Sequence, residues 1–154
     1  MNQNLQFKVE KLAQLSALEV HETYALRQQV FILEQTCLYP DIDQLDLVCW
    51  HLLGFGSDGD LAAYLRIIPP SGKYAEPALG RIATSGQHRG AGHGKAVVAR
   101  GIEETRTRFP GAGIRISAQT YLTKFYREFG FETVGSPYLE DDIEHIEMLL
   151  PASA

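Results

Sequence analysis

The sequence has few cysteines, no long apolar run and no excess of positive charge. Its two cysteines, Cys37 and Cys49, are too few for the disulfide framework of a secreted domain, so a cytoplasmic chain with reduced thiols is expected. No stretch approaches the roughly 18 apolar residues that a membrane helix needs, and the start, MNQNLQFKVEK, lacks the apolar run of a signal peptide. These absences argue against a membrane partner.

The charge balance excludes a second class of protein. A formal net charge of −5 argues against a general nucleic-acid binder, because phosphate contacts need a positive surface. An anionic ligand would therefore have to be held locally, by backbone amides and a few cations.

What is present is the composition of one folded domain. Hydrophobic residues make up 45% of the chain and charged residues 21%, which is typical of globular proteins. The 154 residues suffice to bury one core, and no repeat or linker interrupts them. A single domain over residues 1–154 is predicted.

The first half of the chain predicts one helix among strands. LQFKVEKL alternates as a strand, and Ser16 and Glu19 form a capping box that begins a helix running to about residue 30 or 31. EQTCLYPDIDQLD is predicted to be a loop with a short helical turn. CWHLLGFG and LAAYLRIIP, joined by SDGD, predict a hairpin, and ALGRIATS predicts the next strand.

The second half predicts a long helix from about Gly92 to Phe109, a strand IRISAQ, and a short helix closed by Gly130. FETVG and IEHIEMLL are predicted as the last strands. The order β-α-β-β-β-α-β-α-β-β indicates an α/β (α+β) fold with a mixed, mainly antiparallel sheet flanked by helices. The two strands that flank the long helix are expected to be parallel.

The segment SGQHRGAGHGKA, residues 85–96, carries four glycines just before the long helix. Unpaired amides and the positive end of the helix dipole meet there, and glycines let a ligand approach the backbone. Arg89 and Lys95 add positive charge. The segment predicts a phosphate site; the alternative is a flexible turn without a ligand.

Two familiar phosphate motifs do not fit this segment. The P-loop pattern fails because Ala96 follows Gly94-Lys95 and because Arg89 stands where its first glycine should be. The dinucleotide pattern G-x-G-x-x-G fails because Lys95 replaces its third glycine.

A third pattern, Arg/Gln-x-x-Gly-x-Gly/Ala, does fit. Arg89, Gly92 and Gly94 match it, as do Gln87, Gly90 and Gly92 in a register shifted by two residues. The later register is preferred because it places the second glycine at the helix start. This motif resembles the pyrophosphate-binding loop of the GNAT superfamily of N-acetyltransferases.

The resemblance extends over nearly the whole chain. KFYREFGF is similar to the superfamily's C-terminal helix with its tyrosine, here Tyr126, and GRIATS is similar to the strand that pairs with the pantetheine arm. Gln119 stands where the superfamily often has an asparagine. FILEQTCLYPDIDQLD, HLLG, AYLRI and SAQTYLTKFY look most like the small ElaA-type proteins. The resemblance implies that acetyl-CoA contacts Ile82, Ala83, Thr84, Arg89, Gly90, Ala91, Gly92, His93, Gly94, Lys95 and Gln119.

The resemblance also implies a reaction, in which an amine attacks the thioester of acetyl-CoA directly. Tyr126 would then protonate the leaving sulfur. An amine with a pKa of about 10.4 is protonated at neutral pH, so a base is needed. Glu34, His51 and His145 are the candidates, and Glu34 and His51 are assigned to the acceptor site.

Two acidic clusters have two interpretations each. Asp41, Asp43 and Asp46 form one, and residues 140–144 contain the other, with Glu140, Asp141, Asp142 and Glu144. Both are expected to be solvated loop charge or, alternatively, an acceptor site that attracts a cationic amine. No metal is predicted, because the EF-hand glycine and final glutamate are missing and the two cysteines have no second pair.

The sequence therefore predicts a cytoplasmic, acetyl-CoA-dependent N-acyltransferase. Its acceptor is the amine of a small molecule or peptide, and a homodimer is kept open as its assembly. Two alternatives remain: a catalytically silent acyl-CoA sensor or interaction module, and a binder of another nucleotide.

Overall fold

Seven strands and three α-helices follow the predicted order in a computed structural model that describes residues 4–153. The strands are β1 (Gln6–Lys11), β2 (Trp50–Phe55), β3 (Leu61–Ile68), β4 (Ala78–Thr84), β5 (Ile114–Gln119), β6 (Glu132–Glu140) and β7 (Ile143–Leu150). The α-helices are α1 (Ala17–Arg27), α2 (His93–Arg108) and α3 (Thr123–Arg127). None of the helices in this part of the chain is long and apolar enough to cross a membrane.

One twisted sheet carries the fold, with the strand order β1-β2-β3-β4-β5-β7-β6. Every neighbouring pair is antiparallel except β4 and β5, which are parallel and are connected by α2. The predicted fold class, with its single parallel pair flanking the long helix, is confirmed.

The first helix begins where its capping box predicts. The Ser16 hydroxyl accepts from the Glu19 amide at 3.1 Å, and the Glu19 carboxylate accepts from the Ser16 amide at 2.8 Å. The predicted end at residue 30 or 31 is wrong, because the helix continues as a π-helical segment, Gln28–Glu34. Its last residue, Glu34, contacts Arg89 in the segment just before α2.

The main core lies between the sheet and α2. Val97, Val98 and Ile102 of α2 pack against a layer that includes Leu65 and Ile116. On β5 the core residues alternate with Arg115, Ser117 and Gln119, so these three side chains lie on the opposite face of the sheet.

The last hairpin is longer than predicted. β6 extends to Glu140 and meets β7 through a two-residue turn, Asp141-Asp142, with φ angles of 51° and 63°. Pro137 lies where the register between β6 and β7 shifts, on the edge strand of the sheet, which is where a strand tolerates proline.

Candidate functional site

The candidate site begins where the sheet splits. β4 and β5 pair only at Ala78 and Arg115, and the remainder of both strands lines a cleft of about 610 Å³. The predicted site residues that line this cleft are Glu34, Ile82, Ala83, Thr84, Arg89, Gln119, Tyr126 and His145. The structure thus brings together residues from six separate segments of the chain.

The backbone of β4 is bent at the cleft. Arg81 has a positive φ of 49°, and the β3–β4 register shifts between Tyr64 and Arg66. Beyond Ala78, β4 pairs with no β5 residue in the described chain. Backbone groups on this edge are therefore available to an extended ligand, as in strand addition to a sheet edge.

The glycine loop, residues 85–96, lies at one end of the cleft, which it lines through Arg89. Gly90 and Gly92 have φ angles of 87° and 81°, and a Cβ added at either would meet no atom within 4 Å. Gly92 caps α2 without a side-chain hydrogen bond, so the first amides of that helix have no capping partner. The open backbone and the positive end of the helix dipole suit an anionic ligand such as a pyrophosphate.

The two cations of the loop are already paired. Arg89 donates to both carboxylate oxygens of Glu34, at 2.9 and 2.8 Å, and to the Thr84 carbonyl at 3.1 Å. Lys95 lies 3.1 Å from Glu128. Both pairs are partly exposed, so a phosphate could compete for either cation at small cost.

The side chain of His93, near the end of this loop, is buried. Its side chain is only 3% exposed, and neither ring nitrogen has a hydrogen-bond partner. A contact between His93 and a ligand in the cleft is therefore expected through its amide, at the first position of α2.

Tyr126 lies between the core and the cleft. Its ring is 6% exposed and packs edge-on against Phe125 and Phe131, with centroid distances of 5.1 and 6.0 Å. Burial raises the pKa of the Tyr126 hydroxyl, which therefore stays protonated at neutral pH and can act as a proton donor.

His51 does not lie at the cleft, which corrects its assignment to the acceptor site. It is fully buried, with Nδ1 2.7 Å from the Tyr64 hydroxyl and Nε2 2.9 Å from the Asp46 carbonyl. Burial lowers the pKa of His51, so the imidazole is held neutral as a structural group.

The first acidic cluster is neither solvated charge nor an acceptor site. Asp46 is 1% exposed and lies 2.7 Å from Arg27 and 3.0 Å from Arg66. Asp43 pairs with Arg66 at 2.6 Å, and the cluster is completed by Asp41 and Arg81. Both sequence interpretations are wrong because three arginines, distant in sequence, neutralise three aspartates.

The sequence carried a signal of this network that the prediction missed. Arg27 falls on the buried side of α1 and is fully buried, and Arg66 interrupts the apolar strand LAAYLRII. A charged residue inside an apolar element is rarely left buried without a partner. The partners are the three aspartates of the loop between α1 and β2, around a short 3-10 turn, Gln44–Leu47.

The second acidic cluster lies at the turn between β6 and β7. Glu140 and Asp141 line the cleft, and the Asp141 carbonyl accepts from the Cys37 thiol at 3.5 Å. Glu144 accepts from the Thr120 hydroxyl at 2.9 Å. This cluster is exposed, as predicted for solvated charge, but Glu140 also contributes a carboxylate to the cleft.

One group of potential metal ligands was not predicted. Asp58, Asp60 and His88 have ligand atoms within 4.8 Å of one another. His88 Nε2 lies 3.0 Å from Asp58, so an ordinary surface ion pair accounts for this arrangement. Asp58 and Asp60 lie at the hairpin turn between β2 and β3, His88 follows β4, and none of the three lines the cleft.

Comparison with known proteins agrees with this geometry. The family model for the acetyltransferase (GNAT) domain matches residues 32–151. A UPF0039 protein of Synechocystis is 47% identical over 135 residues, covering 88% of each chain. Escherichia coli ElaA is 37% identical over 138 residues, covering 86% of this chain and 90% of its own.

Solved structures give the same result. An acyl-CoA N-acyltransferase from Pseudomonas aeruginosa has a TM-score of 0.89 at 35% identity, covering 95% of this chain and 99% of its own. The structure of Escherichia coli ElaA has a TM-score of 0.86 at 32% identity, covering 94% and 98%. The chain belongs to the GNAT acetyltransferase family and is similar to its ElaA-type members, which confirms the predicted resemblance.

Proposed function

We propose that this protein is an acetyl-CoA-dependent N-acyltransferase that acts on a primary amine of a small molecule or peptide. Family membership supports an acyl-CoA-dependent acyltransferase in general. The observation that carries the more specific proposal is the split between β4 and β5. It runs from Arg89, just before the uncapped start of α2, to the Tyr126 side chain, and so would connect an anion site with a proton donor.

The donor would lie along this split. Its pyrophosphate fits the amides of residues 90–95, including Gly90, Ala91 and Gly92, and its pantetheine amides would pair with the free edge of Ile82–Thr84. Gln119, at the end of β5, faces this edge across the cleft and can donate to a pantetheine carbonyl. The acyl carbonyl would then reach the bent part of β4, where backbone amides can stabilise an oxyanion.

Glu34 links donor binding to acceptor binding in this scheme. Its carboxylate holds Arg89 while no phosphate competes for that guanidinium. When Arg89 turns to a phosphate, Glu34 becomes free to attract the cationic amine of an acceptor. This exchange favours binding of acetyl-CoA before the acceptor.

Tyr126 would complete the chemistry. The amine nitrogen attacks the thioester carbon, and the carbon–sulfur bond breaks as the tetrahedral intermediate collapses. The buried hydroxyl donates its proton to the leaving sulfur and regains one from solvent. Because burial keeps the Tyr126 hydroxyl protonated, the donor is in the correct state at neutral pH.

The test is the release of free thiol from acetyl-CoA. We expect calorimetry to show acetyl-CoA binding without added metal. We also expect a panel of cadaverine, lysine amide, tyramine and glucosamine to contain at least one amine that accelerates thiol release, with the acetylated amine identified by mass spectrometry. Binding without thiol release across the panel would instead support an acyl-CoA sensor, and preference for ATP or NAD over CoA would support another nucleotide binder.

A further inference from the structure

The acceptor must lose a proton before its nitrogen can attack, and the cleft contains one histidine placed to receive it. We propose that His145 is the general base, with its Nε2 as the accepting atom and Glu140 as the counter-ion of the imidazolium. This inference rests on the proposed N-acyltransferase function.

The other two candidate bases are occupied. His51 is buried away from the cleft, with both ring nitrogens hydrogen-bonded. Glu34 is held by Arg89 through both carboxylate oxygens, and in the proposed scheme the carboxylate released from Arg89 serves to attract the acceptor cation. His145 lines the cleft. Its Nδ1 has a backbone partner, the Ile143 carbonyl, whereas the group nearest its Nε2 is the Glu140 carboxylate.

His145 also lies on the correct side of the sheet. It pairs directly with Gln119 of β5 and with Tyr138 of β6, so all three side chains lie on the face opposite the α2 core. Tyr126 belongs to the core on the other face and reaches the same cleft. A carbonyl carbon held in the split would thus have the base on one side and the proton donor on the other.

The backbone fixes the tautomer of this imidazole. His145 Nδ1 lies 2.7 Å from the Ile143 carbonyl oxygen, which can only accept a hydrogen bond. Nδ1 therefore carries the proton in the neutral ring, and the lone pair is on Nε2. Enzymes commonly orient a histidine base in this way, with one ring nitrogen donating a hydrogen bond to a fixed acceptor.

Neighbouring side chains hold the ring and stabilise its charge. The Tyr138 ring stacks on the imidazole at 6.1 Å and 24°, and its hydroxyl is hydrogen-bonded to Ser117. Nε2 lies 3.4 Å from a Glu140 carboxylate oxygen. This carboxylate is partly exposed, so it can attract the proton onto Nε2 and still let it pass to water.

The charged and titratable groups around His145 are few. From β6 they are Glu140 and Tyr138; burial raises the pKa of the Tyr138 hydroxyl, which is neutral below pH 10. On β7, Glu147 lies on the same face and pairs with Arg115 at 3.4 Å. β5 contributes Arg115, whose charge is paired with Glu147, and the neutral Ser117 and Gln119. Glu140 is therefore the nearest charge to Nε2.

The protons balance in the following way. An acceptor that arrives as an ammonium ion loses one proton to His145 Nε2, which passes it to solvent past Glu140. The free amine forms the carbon–nitrogen bond, and the nitrogen loses its second proton to solvent as the amide forms. The carbon–sulfur bond breaks with its electron pair on sulfur, which takes the Tyr126 proton. The products are the amide, free CoA thiol and one net proton.

Nuclear magnetic resonance of the wild-type protein tests the geometry without any acceptor. In protein labelled with ¹⁵N-histidine, we expect long-range ¹H–¹⁵N correlations of the neutral His145 ring to show a protonated Nδ1 and an unprotonated Nε2. A neutral ring protonated on Nε2 would have no lone pair facing the cleft and would overturn the proposal.

Kinetics test the role. With whichever of cadaverine, lysine amide, tyramine or glucosamine is acetylated fastest, we expect His145→Gln to lower kcat/KM by about 10²-fold or more. In the variant, the part of the rate decrease at low pH that comes from the enzyme should disappear, while the part that comes from protonation of the acceptor amine should remain. Added imidazole should restore part of the rate. His21→Gln, on the exposed side of α1, is the matched control and should match the wild type.

The outcomes separate this proposal from the function on which it rests. A folded His145→Gln variant with normal acetyl-CoA affinity, a rate within threefold of the wild type and an unchanged pH profile would overturn the role of His145. A wild-type protein that acetylates none of the four amines would count against the proposed function, and the tautomer measurement would still decide whether His145 is built as a base.

Discussion

At the scale of single residues, Tyr126 has a structural role and a proposed chemical one that one substitution can separate. Its ring packs between Phe125 and Phe131, while the proposed reaction uses only its hydroxyl. Phenylalanine keeps the packing and removes the proton donor. Folding and acetyl-CoA affinity are therefore expected to survive the change.

We expect Tyr126→Phe to lower kcat and kcat/KM together, with little change in KM, because a proton donor to a breaking bond acts only in the transition state. General-acid catalysis is worth about 10²–10⁴-fold, and a thiolate is already a fair leaving group, so a loss near about 10²-fold or below is expected. Steady-state rates at saturating acetyl-CoA measure this. Tyr24→Phe, at a tyrosine that does not line the cleft, is the control; a wild-type kcat for Tyr126→Phe would leave Tyr126 as a core aromatic.

Gly92 allows backbone strain and ligand contact to be separated. Gly92 and Gly111 have nearly the same φ, 81° and 82°, and a Cβ on either would meet no atom within 4 Å. A valine at either site should cost a similar 1–2 kcal/mol or so of left-handed strain. Only the valine at Gly92 would stand where the pyrophosphate is proposed to bind.

We therefore expect Gly92→Val to abolish acetyl-CoA binding in calorimetry, whereas Gly111→Val binds normally at a similarly lowered melting temperature. If both variants bind equally well, the loop at residues 85–96 is a turn without a phosphate. If both lose binding, the loss reflects destabilisation rather than the ligand site.

At the scale of elements, the sequence was sufficient wherever the deciding residues are close together in the chain. The capping box at Ser16, the hairpin turn at residues 57–60 and the helix stop at Gly130 each depend on a few neighbouring residues, and each is found as predicted. The glycine loop belongs to this group, because its spacing alone predicts an uncapped helix start.

Elements determined by distant contacts were not predictable in the same way. The helix runs past residue 31 as a π-helical segment, and Glu34 at its end meets Arg89, which is 55 residues away in the chain. The sequence does not show that His51 is buried, because a strand residue can lie on either face of the sheet and the alternation of one strand does not show which face is covered. The partners of Asp46 come from α1 and β3, so its burial follows from the assembled sheet.

The network of three arginines and three aspartates should behave as a structural element. Asp46 accepts from Arg27, Arg66 and the Asp43 amide, and Arg27 is fully buried. We expect Asp46→Asn to lower the free energy of unfolding by about 3–5 kcal/mol, because it leaves buried guanidinium charge without its main partner. Urea unfolding measures the change. Asp60→Asn, at an exposed turn, should stay within about 0.5 kcal/mol; an equally small effect at Asp46 would make the network dispensable.

The same network predicts a pH dependence of stability. Burial opposes ionisation of Asp46, but hydrogen bonds and charge from Arg27 outweigh it and hold the Asp46 pKa below its usual value; Arg66 does the same for Asp43. Groups with a lowered folded pKa stabilise the protein above their unfolded pKa of about 3.9, and this stability is lost as pH falls further. We expect unfolding free energy to decline below about pH 4, and less steeply in Asp46→Asn. Parallel pH profiles for the two proteins would contradict this.

At the scale of the whole molecule, the sheet consists of two parts with one narrow junction. β1 to β4 form one part, and β5, β7 and β6 form the other. Between them lie the Ala78–Arg115 pair, a hydrogen bond from the Arg115 amide to the Pro77 carbonyl at 3.0 Å, and the Arg115–Glu76 ion pair at 2.8 Å. α2 packs across both parts. A ligand in the split would add the contacts that this junction lacks.

Binding of CoA is therefore expected to stabilise the whole fold and to do so from the split outward. At 100 times its Kd, a ligand contributes about 2.7 kcal/mol, which for a domain of this size corresponds to a melting temperature higher by about 5–10 °C. Hydrogen exchange should slow most at residues 82–84 and 92–96, and least on β1 at the far edge of the sheet. Gly92→Val should show neither change at the same CoA concentration. A thermal shift accompanied by protection mainly on β1 and β2 would place the ligand elsewhere, because those strands are separated from the split by β3 and β4.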